Sequence, residues 1–144
     1  MPDKIVVGYD GSDSAERALK FAVEKAKARG GSLVVAHVLE WSPYSFLTPE
    51  EIEERHKRRR EELARAEEAL LKPVLDKLAK DKVPAEAVMK YGGVTDTLIA
   101  IATETGSSQI VIGRTGDREF SARIFGSVAG SLAQSAPVPV TIVP

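Results

Sequence analysis

The chain contains no cysteine. That removes a disulfide scaffold, thiolate catalysis, and cysteine-ligated zinc or iron–sulfur sites as explanations of its fold or function. With only two histidines, the usual ligands of a transition-metal site are also missing. Long apolar runs are absent as well. Stretches such as Leu33–Ala36 fall far short of the roughly 20 residues that a membrane helix requires. Charge of one sign is not in excess either: 20 Lys and Arg stand against 21 Asp and Glu, for a formal net charge of −1. This balance lacks the basic footprint of a nucleic-acid binder. Met1-Pro2-Asp3-Lys4 leads directly into a strand-like run, without the apolar core of a signal peptide. The expectation is a soluble, cytoplasmic protein without nucleic-acid or membrane partners. At 144 residues with 43% hydrophobic content, a single domain over 1–144 is expected, large enough to bury a core without staples.

Strand-like and helix-like patterns alternate from end to end. Lys4–Tyr9 (KIVVGY) is a short β-branched run closed by Asp10-Gly11-Ser12. The helix after it is expected to start at Asp13 as N-cap, with Glu16 completing a capping box. Its apolar stripe is Ala15, Ala18, Leu19, Ala22, Val23 and Ala26, and Gly30-Gly31 ends it. Ser32–Leu39 is apolar without interruption, which suits a parallel strand covered on both faces. Residues 41–49 form a loop carrying Trp41, Tyr44 and Phe46, which suit core or subunit packing or a cover over a ligand. Thr48-Pro49-Glu50-Glu51 then opens a helical stretch to about Lys80, which Pro73 should kink or divide. Its first half is polar nearly all round, with Glu54–Arg58, Glu53–Lys57 and Arg58–Glu62 at ion-pair spacing. Leu63, Ala66, Leu70, Val74, Leu75 and Leu78 form the docking stripe.

A third strand is expected over Ala85–Tyr91, a helix over Thr95–Thr105, and a fourth strand over Gln109–Gly113. A glycine-punctuated stretch leads to a helix from about Ser127 to Gln134. Val138–Val143 is the fifth strand, and Pro139 places it at an edge. This alternation predicts an α/β fold with one open, five-stranded, mostly parallel sheet and helices on both faces.

In such a sheet, ligands lie beyond the carboxyl ends of the strands, where strand order reverses. Two segments are therefore informative: Gly8-Tyr9-Asp10-Gly11-Ser12 after the first strand, and Gly113-Arg114-Thr115-Gly116 through Gly126-Ser127 after the fourth. Glycines there admit close approach of a ligand to the backbone. A helix starting at Ser127 would offer free N–H donors to an anion. Together these read as a phosphate cradle. His37 reads as a satisfied histidine of the core, and His56 as a solvated surface residue.

The spacing Gly113-x2-Gly116-x9-Gly126-Ser127 resembles the signature of the ATP-binding subgroup of the universal stress protein A family. KIVVGYDGS, AHVLE and the closing APVPVTIVP resemble that family's first, second and last strands, so the likeness spans nearly the whole chain. It implies a flavodoxin-like sheet of order 3-2-1-4-5 holding ATP between strands one and four. By position, Gly8, Tyr9 and Asp10 would meet the adenosine, with Val38 against the base. Ile112, Gly113, Arg114 and Gly116 would line ribose and phosphates, and Gly126, Ser127, Val128 and Ala129 would hold the phosphate tail. It also implies a homodimer through Val138–Val143. Two departures stand out: Arg114-Thr115 in the glycine turn, and Asp117 and Glu119 beside Arg118 and Arg123. Those acids would either repel phosphate or help hold a divalent cation, magnesium or manganese.

Three functions follow as alternatives. The first is an ATP-binding regulatory protein of a stress response with at most slow hydrolysis. The second is an ATP-using enzyme, a weak ATPase or of pyrophosphatase type. The third is a dimerisation module that holds no nucleotide. The chain has no P-loop lysine motif and no base with a defined partner, so no catalytic residue is assigned.

Overall fold

The computed structural model describes residues 3–39, 48–114 and 119–144, with residues 119–126 described by their backbone alone. The loop aromatics Trp41, Tyr44 and Phe46, and Gly116, Asp117 and Arg118, lie outside the described residues, as do the side chains of Glu119 and Arg123.

Five strands form one sheet: β1 (Lys4–Gly8), β2 (Ser32–Leu39), β3 (Ala85–Tyr91), β4 (Gln109–Gly113) and β5 (Val140–Val143). Their order is β3-β2-β1-β4-β5, and every described pairing is parallel. The fifth strand starts two residues later than expected, because Pro139 has no N–H to give to a ladder; its carbonyl instead accepts from Ile110 N at 3.0 Å.

Side-chain alternation divides the core between two faces. Ile5, Val7, Leu33, Val35 and Val111 pack with α1 (Asp13–Arg29) and α3 (Lys72–Lys80). Val6, Val34, Ala36, Ile110 and Ile112 pack with α4 (Val94–Thr105) and α5 (Glu119–Ser135). Both faces of β1 are thereby sealed, and this is why its run Ile5-Val6-Val7 is apolar without alternation.

The starts of α1 and α5 differ from the sequence reading, and the stretch between Thr48 and Lys80 follows it. Helix α1 is capped by Ser12, whose hydroxyl accepts from Ala15 N at 3.0 Å, rather than by Asp13. Asp13 is the first helical residue, and the Glu16 carboxylate is engaged by the Tyr9 hydroxyl instead of reaching back to a cap. The stretch after Thr48 does begin as expected, with Thr48 Oγ1 accepting from Glu51 N at 3.2 Å. It divides into α2 (Pro49–Ala66) and α3, joined by a π-helical turn at Glu67–Leu71 just ahead of Pro73. A proline lacks the N–H that would close the preceding turn and crowds the carbonyl four residues back, so the chain widens there. Helix α5 starts at Glu119, eight residues before the expected start at Ser127. Gly126 was read as a boundary, but a single glycine costs a helix interior only about 1 kcal/mol, and the helix passes through it.

Candidate nucleotide site at the strand ends

Strand order reverses between β1 and β4. The connections on either side of that junction leave towards opposite faces of the sheet, which opens a crevice at the carboxyl ends. The ladders show the opening directly. Strand β1 stays paired with β2 through Gly8↔Ala36, but its pairing with β4 stops at Val7↔Val111.

The direction of the peptide groups around this crevice follows from the hydrogen bonds that flank it. Tyr9 N donates to Ala36 O at 2.8 Å, so Ala36 faces β1; Gly92 N donates to Leu39 O at 3.0 Å, so Leu39 faces β3. Alternation then aims the N–H and C=O of Val38 past the end of β1. On the far side, Ile110 N and Arg114 N donate to Pro139 O and Val143 O of the β5 segment. The intervening Gly113 peptide is therefore turned towards β1. The crevice is bordered by main-chain donors and acceptors from both sides.

His37 terminates the β1–β2 ladder. Its Nδ1 lies 2.8 Å from Tyr9 O. A carbonyl only accepts, so Nδ1 carries the proton in this contact. The Tyr9 carbonyl is thus occupied by a side chain where a continuing strand would have claimed it. The expected satisfied histidine is present, although half-buried at the rim instead of deep in the core.

Several expected site residues meet at this rim. Asp10 is half-exposed, and its Oδ1 accepts from Ser12 N at 3.0 Å in a tight turn. Arg114 is exposed. Tyr9 offers only its backbone, because its ring is buried in the α1 face. Burial, the hydrogen bond to Glu16, and the charges of Glu16 and Asp10 together push its hydroxyl far above the usual phenol range. Val38 packs at the margin of the α4 face, and Ile112 is wholly buried there. Gly113 has a packing reason of its own: a Cβ there would stand 2.2 Å from Ser14 Oγ and 2.8 Å from Ser14 O, so β4 can end against the first turn of α1 only as glycine.

Of the expected phosphate cradle, Gly116 lies outside the described residues, and the described backbone carries the remainder inside a helix. Gly126 and Ser127 lie inside α5, Ser127 is exposed, and Val128 and Ala129 face the core at 6% exposure. Helix N–H groups beyond the first turn are engaged within the helix. Sequence reading also missed neighbours that shape the rim. Buried Ser12 and Ser14 open α1. Leu70 of the π-helical turn lies over Gly11, where a Cβ would stand 2.7 Å from Leu70 Cδ1 and make that side chain shift, while the φ of +82° would strain any other residue. The Asp-Gly-Ser turn signal pointed to the first two, but nothing in the local sequence pointed to Leu70.

An open parallel sheet of order β3-β2-β1-β4-β5, with helices on both faces and a crevice at its switch point, defines a doubly wound α/β domain. The model of the universal stress protein family matches residues 1–144. The "Universal stress protein in QAH/OAS sulfhydrylase 3'region" of Thermus aquaticus is 34% identical over 140 residues, covering 96% of each chain. Universal stress protein YxiE of Bacillus subtilis is 31% identical over 156 residues, covering 99% of each. The chain belongs to the universal stress protein family. Among solved structures, UspA of Lactobacillus plantarum superposes with a TM-score of 0.83 at 24% identity, over 99% of this chain and 97% of that one. A universal stress protein of Archaeoglobus fulgidus solved with dAMP is 26% identical (TM-score 0.62, covering 100% and 98%). Others of this fold were solved with cAMP and with AMP.

Proposed function

We propose that this protein binds an adenine nucleotide, ATP with magnesium or manganese, across the ends of β1 and β4. In this reading it serves as a cytoplasmic regulatory protein of a stress response and hydrolyses the nucleotide slowly at most. The observation that carries the reading is the Val38 peptide. It presents a donor and an acceptor side by side beyond the last β1–β2 bond, the pattern that the edge of an adenine matches. The adenine nucleotides bound by relatives of this fold support the same ligand class.

Arg114, exposed at the end of β4, is positioned for phosphate rather than base. Among the described residues no group of three or more His, Cys, Asp or Glu is placed to hold a metal ion. A divalent cation would therefore be held mainly by phosphate oxygens, with Asp10 as the described carboxylate at the rim. Gly126 and Ser127 reach phosphate only if α5 begins near Ser127, so this reading includes the unwinding of residues 119–126 on binding. The 38%-exposed Ile142 on edge strand β5 supports pairing with a second copy through Val138–Val143.

The test is to denature freshly purified protein by heat, identify nucleotide in the supernatant by ion exchange and mass spectrometry, and then titrate the emptied protein calorimetrically. ATP at about one per chain supports the proposal. Binding of AMP or cAMP without preference for ATP would remove the triphosphate and cation but keep the base site. No binding of any adenine nucleotide overturns it. In Arg114→Ala, affinity for ATP should fall at least about tenfold while affinity for AMP changes less, since a charge-assisted hydrogen bond contributes about 1.5–3 kcal/mol.

A further inference from the structure

The outer edge of β3 carries a charge pattern that the nucleotide site does not use. Among the described residues β3 is an end strand, with α3 and α4 packed against it and β2 as its one paired neighbour. Leu33 N donates to Pro84 O at 2.9 Å and Gly92 N to Leu39 O, so even-numbered residues of β3 turn their peptides towards β2. The peptides of Ala85, Ala87 and Met89 are therefore directed outward, where another strand can add.

We infer that this edge pairs antiparallel with the same edge of a second copy of the chain, about a twofold axis at Val88. In that register Ala87 exchanges both hydrogen bonds with the partner's Met89, and Met89 with the partner's Ala87. Glu86 then stands directly opposite the partner's Lys90, and Lys90 opposite the partner's Glu86. These are non-hydrogen-bonded positions, where cross-strand side chains come closest. The outward-facing peptides permit only registers that move in steps of two residues along the partner. One step in either direction sets Glu86 or Lys90 against Val88, and the next sets like charge on like charge. Only the Val88-centred register neutralises both ion pairs.

Packing supports the same register. Ala87 and Met89 floor a groove of about 290 Å³ between β3 and the π-turn/α3 segment, lined also by Leu71, Lys72 and Leu75. The pairing sets a small residue across from a large one, so the partner's Met89 enters beside Ala87. Lys90 already meets Glu104 at 2.5 Å in an exposed pair, and its ammonium retains donors for a second carboxylate. Charged edge residues ordinarily discourage strand pairing. Here opposite signs sit two residues either side of one valine, which turns the deterrent into a register lock for a second copy.

The absence of cysteine makes the test clean. Val88→Cys places one thiol at the axis, where paired Cα atoms lie within disulfide range. Mild oxidation of this variant should give a covalent dimer. In the same background, Glu86→Lys alone and Lys90→Glu alone should each slow cross-linking at least about tenfold, because both cross-strand pairs become like-charged. An equimolar mixture of the two should cross-link between unlike chains at about the parent rate. A general loss of folding would not be rescued by mixing. Sedimentation equilibrium of the same charge variants without Val88→Cys should rank identically. No covalent dimer, indifference to the charge changes, or a mixture no faster than its components would each overturn the inference. A β3 edge reserved for a strand of another protein would give the first of those results. Nucleotide binding has no part in the readout.

Discussion

Helices α2 and α3 belong to one helical stretch interrupted by a single turn, yet they are held in place by different means. Helix α3 buries Val74 and Leu78 against the α1 face of the sheet. Helix α2 buries no residue, although at 18 residues it extends about 27 Å. A helix polar on all sides persists through ion pairs and local contacts. Of the three ion pairs expected from sequence, Glu54–Arg58 is formed at 3.9 Å between exposed side chains. Glu62 instead accepts from the Tyr91 hydroxyl at 2.7 Å, and the Arg59 guanidinium lies 5.3 Å from the centre of the Tyr91 ring. Burial thus anchors α3, whereas a latch on the end of β3 holds α2. The same chain segment can belong to the cooperative core at one end and open independently at the other.

The contrast is easiest to break with Leu78→Ala, which should cost about 2–5 kcal/mol of global stability in urea unfolding. A loss below 1 kcal/mol would mean that α3 is no better anchored than α2. Tyr91→Phe should leave the unfolding midpoint nearly unchanged while raising amide exchange across residues 59–66 about threefold to tenfold, the worth of one modest hydrogen bond. Exchange rising equally in α3 would show that the two helices open together. The latch should also respond to pH. Burial, then the hydrogen bond and charge of Glu62, push the Tyr91 hydroxyl up to about 12, against a small opposing effect of Arg59. A folded-state pKa above the unfolded one means that the contribution is complete below about pH 10 and is lost as pH rises towards 12. Phenolate absorbance and exchange in α2 should then rise together. The smallest effect belongs to Ile52→Ala. Ile52 is 44% exposed, and its removal should change stability by no more than about 0.5 kcal/mol.

The sheet was largely legible before any coordinates, because strands buried on both faces advertise themselves. KIVVG, SLVVAHVL and QIVIG are β-branched runs bounded by turn residues, and their observed limits match the expected ones to within a residue or two. Strand order came from family resemblance, since no local pattern encodes which strands are neighbours. The crevice was legible in position, but its chemistry was not. In the proposed reading Val38 acts through the direction of its peptide, which is a property of the ladder and not of a side chain. The start of α5 was misjudged because glycine was weighed as a breaker while the helix-compatible residues before it were not. The α1 cap falls at Ser12 and not at the expected Asp13, because Asp10 Oδ1 holds Ser12 N in a tight turn that sets the Ser12 hydroxyl on Ala15 N. The Tyr91–Glu62 contact joins residues far apart in the chain, beyond any windowed reading.

The π-helical turn acts on this segment as a phase shifter. Carried upward without interruption, the face of α3 marked by Leu71, Val74 and Leu78 would continue through Glu67, Ala64, Arg60 and Lys57. The wider turn takes in one additional residue, and the inward face becomes Leu70, Ala66, Leu63, Arg59, Arg55 and Ile52, of which the first five are part-buried. One inserted position exchanges a row of charges for Leu70 over Gly11 and Arg59 over Tyr91. In evolutionary terms, a single-codon gain or loss between Glu67 and Leu71 would rotate the whole of α2 by about 100° and present a different surface at the end of β3. The core contacts of Val74 and Leu78 in α3 lie beyond the altered turn.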